Sequence, residues 1–148
     1  MTLTELDNLV RTGLLKSEPP DQKEIDGLLD SGRKRLADAR IKSLSAESKF
    51  ELAYGAAHAF ALAGMRWHGY RPANRRYVVF QALASTLGIR PQDWRILDKC
   101  HAKRNALEYE GTFDVDSQLL ADLLTATSAL EIAAGKLGPV PRAEQRRK

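Results

Sequence analysis

Residues 45–68 read Ser45-AESKFELAYGAAHAFALAGMRW-His68, and this stretch decides the fold. Phe50, Ala53, Ala57, Phe60, Gly64 and Trp67 recur in steps of three and four, the spacing of one face of an α-helix. Ser45 has the side chain of an N-cap, able to accept from an early backbone N–H. Gly69 ends the run and Pro72 keeps it ended. Ala53, Ala56, Ala57, Ala61, Ala63 and Gly64 are small, so neighbouring helices can approach this one closely.

The same periodicity extends in both directions. Toward the N-terminus, a short helix is expected over roughly Leu3–Leu15, with Leu6, Leu9 and Val10 on its apolar side. Pro19-Pro20 interrupts the chain. Asp21 and Glu24 then place negative charge in the first turn of a long helix reaching about Lys42, with Ile25, Leu28, Leu29, Leu36 and Ala39 facing inward. Toward the C-terminus, helices are expected over about Asn74–Leu87, over Pro91 to about Glu110, and from a cap at Asp114 or Asp116 through Ala134. Tyr77-Val78-Val79-Phe80 is the one strand-like run, and it sits within helical spacing. The reading is all-α: an antiparallel bundle of four to five core helices plus a short N-terminal helix. It divides as 1–18 for the short helix, 19–137 for the bundle and 138–148 for a basic, disordered tail.

A chain of 148 residues with 28% charged and 43% apolar side chains is one globular domain with enough length to bury a core. No apolar run approaches the ~18 residues of a membrane-spanning helix, and Met1-Thr2-Leu3-Thr4-Glu5 lacks the pattern of a secretory signal. Cys100 is the single cysteine, so no intrachain disulfide forms and a cytoplasmic location is expected. The net charge of +4 is unevenly spread. Residues 52–92 carry Arg66, Arg71, Arg75, Arg76 and Arg90 with no Asp or Glu. An acid-free segment of this kind is either a solvated helix end and loop or a patch that attracts a polyanion. On the second reading, Arg66, Arg71, Arg75 and Arg76 are the nucleic-acid-binding candidates.

Two other patterns fail. Gly27-Leu28-Leu29-Asp30-Ser31-Gly32-Arg33-Lys34 superficially resembles a phosphate-binding loop, but it lies within a helix and has Arg where that motif needs Lys. His58, His68, His101 and one Cys give no metal-ligand spacing, and no cofactor is expected. His58 reads as a packing or surface histidine.

The helix from Pro91 holds an anomaly. At about 100° per residue, Ile96, Leu97, Cys100 and Leu107 share one face, and Arg104 falls in its middle with His101 and Glu108 at the edge. Burying an unpaired charge is costly. Three explanations stand: an internal pair with Glu108, a stem snorkelling at the bundle's edge, or a cleft or subunit interface where the guanidinium meets an anion.

Arg104-Asn105-Ala106-Leu107-Glu108-Tyr109 resembles the signature of the HEPN (higher eukaryotes and prokaryotes nucleotide-binding) families. There an Arg, usually followed by a polar residue, precedes a His by four to six intervening residues on a late helix of a four- or five-helix bundle. Phe50–Ala63 followed by Gly69-Tyr70-Arg71 is similar to the long core helix and turn of the bacterial members, so the resemblance covers about residues 21–137. It implies a homodimer in which Arg104 and Asn105 meet their symmetry mates, with RNA cleaved without metal. It also implies a setting of toxin or phage-defence type, with a cognate antitoxin or a nucleotidyltransferase as partner. The chain departs from the pattern where the His belongs: positions 109–111 are Tyr109, Glu110 and Gly111. Tyrosine, with a free pKa near ~10, is a poor base at neutral pH. His101, one turn before Arg104, is the substitute within reach, and Tyr109 is either a hydrogen-bonding or base-stacking group or an amphipathic tyrosine at a helix end. The candidate catalytic set is therefore Arg104, Asn105, Tyr109 and His101. The expected function is a catalytically degenerate nucleotide- or RNA-binding module. The alternatives are a metal-independent endoribonuclease and a purely structural bundle with no ligand.

Overall fold

The computed structural model describes residues 3–111 and 114–141, and side chains within these except those of residues 3, 4 and 107–110. Seven helices and one small sheet follow in the order α1 (Leu3–Arg11), β1 (Leu15–Ser17), α2 (Gln22–Ala39), α3 (Ala46–Trp67), β2 (Tyr70–Pro72), α4 (Val78–Gln81), α5 (Leu83–Thr86), α6 (Pro91–Glu110) and α7 (Ser117–Gly135). The architecture is an all-α bundle.

The helix starts follow from their caps. The Asp21 carboxylate accepts from the Lys23 N–H, the Ser45 hydroxyl from the Ser48 N–H, and the Asp116 carboxylate from the Leu119 N–H. Each satisfies a backbone donor that has no partner inside its helix. Of the two candidates for the last cap, Asp116 is the one used.

α3 is the central element, packing chiefly on α2 and α7, with α6 against α7. Phe50, Ala53, Ala57, Phe60, Ala61 and Met65 are fully buried along it. Close approach is real here: a Cβ added at Gly32 of α2 would lie 2.6 Å from the Phe60 ring, and one at Gly64 would lie 2.8 Å from Leu87.

Two expectations change. The segment 74–87 is not one helix; it is two single-turn helices hinged at Ala82, and Arg75 and Arg76 lie ahead of the first. Val78, Val79, Phe80, Leu83, Ser85 and Thr86 are buried on more than one side, so the chain follows the core rather than a single helix axis. Residues 3–17 also hold a strand and pack into the bundle. β1 pairs antiparallel with β2, Lys16 opposite Arg71, and Leu6 and Leu15 enter the same core as α3. At the other end, Trp67 donates to the Gly138 carbonyl and the Val140 N–H donates to Gln22, so the structured chain extends past 137. Residues 142–148 lie outside the described residues. No described helix is long and apolar enough to cross a membrane.

Candidate phosphate-binding cleft

The acid-free segment divides into two environments. Arg66 is only 1% exposed. Its guanidinium pairs with Glu24 at 2.8 Å and donates to the carbonyls of Pro19 at 2.8 Å, Glu18 at 3.0 Å and Tyr70 at 3.3 Å. Arg71 bridges Glu18 at 2.7 Å and Glu24 at 2.8 Å. Together they clamp the start of α2 to the end of α3 and to β2. Glu18 is lowered from its ordinary pKa by the hydrogen bond from Arg71. Burial raises Glu24, and the hydrogen bonds from Arg66 and Arg71 outweigh it, so Glu24 is lowered too. Arg66, expected on a nucleic-acid track, is instead held inside this clamp with its donors given to the chain itself. Arg71, expected on the same track and 35% exposed, gives its Nε and Nη2 to the clamp.

Arg76 faces a different region. A cleft of about 290 Å³ opens between α2, α3, α6 and the segment ahead of α4, lined by Arg35, Glu51, Tyr54, Gly55, His58, Arg76, Tyr77, His101 and Arg104. Arg75, exposed next to Arg76, is not part of the lining.

The wall on α6 is built around His101. The Tyr54 hydroxyl and His101 Nδ1 are hydrogen-bonded at 2.7 Å, and the Asn105 amide nitrogen lies 3.2 Å from Nε2. Tyr77 stacks on the imidazole with centroids 4.0 Å apart and donates its hydroxyl to Asp98. Burial lowers the His101 pKa, and it pushes that of Tyr54 up to about 12. His101 is therefore neutral and Tyr54 is a fixed hydroxyl. Cys100, next to His101, is fully buried with its thiol pushed up to about 12 by desolvation, which leaves it chemically quiet.

Arg104 extends across the mouth of the cleft. Its guanidinium carbon sits 5.3 Å from the Tyr54 ring centroid, in cation–π range, and its Nε pairs with Glu51 at 3.5 Å. Glu51, on α3, is a salt-bridge partner from another helix; the side chains of Glu108 and Tyr109 lie outside the described residues. With the Arg104 side chain 35% exposed, the half-buried charge found by sequence is a wall of this cleft.

The floor belongs to α2 and α3. A Cβ at Gly55 would meet Arg35 Nη1 at 3.1 Å, so the missing side chain makes room for that guanidinium. His58 packs edge-on against Phe80. Its pKa falls to about 4, through burial first and then the Arg76 charge. Its Nε2 is closed from solvent and has no hydrogen-bond partner among the described residues.

Of the residues singled out by sequence, Arg76, His101 and Arg104 line this cleft, and Asn105 approaches it only through His101. Sequence reasoning gave no site role to Arg35, Glu51, Tyr54, Gly55, His58 or Tyr77. One signal pointed to two of them: Tyr54 and His58 are the polar interruptions in the small-residue stretch of α3. Among the described residues no group of three His, Cys, Asp or Glu side chains is placed to hold a metal ion. No family model, no curated protein and no solved structure matches this chain.

Proposed function

We propose that this protein is a nucleotide- or RNA-binding module that holds ligand phosphate in the cleft between α2, α3 and α6. One observation carries the reading: Arg35, Arg76 and Arg104 converge on a single concave surface whose lining contains one carboxylate, Glu51. Guanidinium groups bind phosphate by paired, charge-assisted hydrogen bonds. The resemblance of Arg104-Asn105 to the HEPN signature supports the same ligand class, since Arg104 lines this cleft and Asn105 approaches His101, which also lines it. A homodimer, and an antitoxin or nucleotidyltransferase partner, belong to the same proposal.

Binding is favoured over turnover by the state of His101. Both ring nitrogens already have partners within the chain, Tyr54 and Asn105. A general base needs a lone pair within reach of the substrate proton. The second reading, a metal-independent endoribonuclease, is supported by the position of the imidazole one turn from Arg104, and it requires Asn105 to leave Nε2.

Mixed RNA incubated with the protein in EDTA, beside Arg104→Ala, tests both. Salt-sensitive binding without cleavage is the expected result. Cleavage lost in Arg104→Ala establishes the second reading. Neither binding nor cleavage overturns both.

A further inference from the structure

We infer that the cleft selects a phosphomonoester, a terminal phosphate carrying two charges, over the singly charged diester of a nucleic-acid backbone. This rests on the reading of the cleft as a phosphate site and names the ligand class that it takes.

Charge comes first. Arg104 pairs with Glu51 across the mouth, so that pair is close to neutral. Arg35 and Arg76 form no ion pair among the described residues, which leaves the lining with two uncompensated positive charges. A phosphomonoester at neutral pH carries about −1.5 to −2. A diester carries one negative charge and leaves one guanidinium unmatched.

Size points the same way. At about 290 Å³ the cleft is at the small end of ligand pockets. It accommodates a phosphate with an attached nucleoside, or the end of a chain.

His58 supplies the third argument. Its Nε2 is an unpartnered atom in a residue lining the cleft, and a buried polar atom left unsatisfied is costly. A doubly charged monoester presents three terminal oxygens to which an Nε2–H can donate, and a diester presents two. Because Nε2 is closed from solvent in the unliganded chain, this bond forms only as the side chains over it shift.

Isothermal titration of the full chain at fixed ionic strength tests the inference. The probes are a nucleoside 5′-monophosphate, one RNA oligonucleotide with a 5′-phosphate, the same oligonucleotide with a 5′-hydroxyl, and a dinucleoside monophosphate diester. The monophosphate or the 5′-phosphorylated oligonucleotide, or both, should bind about tenfold or more tighter than the last two, as expected for one charge-assisted contact. Which of the two binds distinguishes a free nucleotide from a phosphorylated RNA end. Arg35→Gln and Arg76→Gln should each lose most of that preference, and because both side chains are exposed the variants should keep the wild-type melting temperature. His58→Gln should reduce the preference further. Equal affinity for the 5′-phosphate and 5′-hydroxyl oligonucleotides overturns the inference and leaves the phosphate site standing. Binding of no probe overturns both. A preference that survives the double variant Arg35→Gln/Arg76→Gln also overturns it, because the selectivity then lies elsewhere.

Discussion

The hydroxyl of Tyr54 on α3 and Nδ1 of His101 on α6 lie 2.7 Å apart, joining the floor of the cleft to its wall. The bond fixes the ring on which Tyr77 stacks and which Asn105 approaches. Tyr54→Phe keeps the packing and removes the bond. The expected loss is about 1 kcal/mol in urea unfolding at unchanged denaturant slope. Ligand affinity should fall as well, because the imidazole is no longer held. An unchanged unfolding midpoint would show that the bond contributes nothing.

Arg66 and Arg76 lie ten residues apart in the same acid-free segment, with opposite expected consequences. Arg66→Ala leaves three backbone carbonyls without their donor and Glu24 with Arg71 alone. Each buried polar group left unsatisfied costs about 1–3 kcal/mol, so the melting temperature should drop sharply. Arg76→Ala, on the exposed rim, should leave the melting temperature nearly unchanged and weaken anion binding. Parallel thermal melts and titrations of the two variants separate the roles.

Acid should destabilise the protein in two stages. The folded His58 pKa of about 4 lies below its ordinary value of 6.5, and His68 and His101 are lowered in the same direction. In that window the unfolded chain binds protons that the folded chain does not. Stability is therefore full above about pH 6.5 and declines as the pH falls toward 4. Glu18 and Glu24 are shifted in the same direction, lowered from 4.5, and their contribution is lost as the pH falls below that value. Unfolding free energy measured from pH 8 to pH 4 should show the first slope, and His58→Gln should flatten it. A profile flat between pH 7 and pH 5 would contradict the burial of His58.

Gly55 and Gly32 are both helical glycines, yet alanine should affect them differently. At Gly32 the new Cβ would lie 2.6 Å from a buried Phe60 ring, and overpacking of that kind costs about 1–3 kcal/mol. At Gly55 the neighbour is the flexible end of Arg35 at 3.1 Å. Gly55→Ala should keep or raise stability by up to about 1 kcal/mol through helix propensity, while displacing Arg35 and weakening the ligand. Melting curves and titrations of both variants check this contrast.

Much of the bundle was legible because its signals are local. Ser45, Asp21 and Pro91 mark helix starts by their own chemistry, and the stripe from Phe50 to Trp67 marks the face that is buried. The β1–β2 pair was not legible: three residues on each side, far apart in sequence, leave no alternation to read. The hinge at Ala82 was missed because the residues around it keep helical spacing while burying more than one side. At the cleft, Arg104 was visible as a charge in an apolar stripe, but its salt-bridge partner Glu51 comes from another helix, and no intrahelical spacing encodes that pair. Arg35 lies on the polar face of α2 and differs from a solvated arginine only through the space that Gly55 leaves for it.

The most direct test of the central claim uses the three histidines as reporters. His58 and His101 line the cleft, while His68 is bonded to the Thr86 carbonyl and is not part of the lining. Imidazole resonances in a carbon-13-labelled sample, followed during titration with a nucleoside monophosphate, should move for His58 and His101 and stay fixed for His68. Movement of His68 alone, or of no histidine at saturating ligand, would contradict a phosphate site in this cleft.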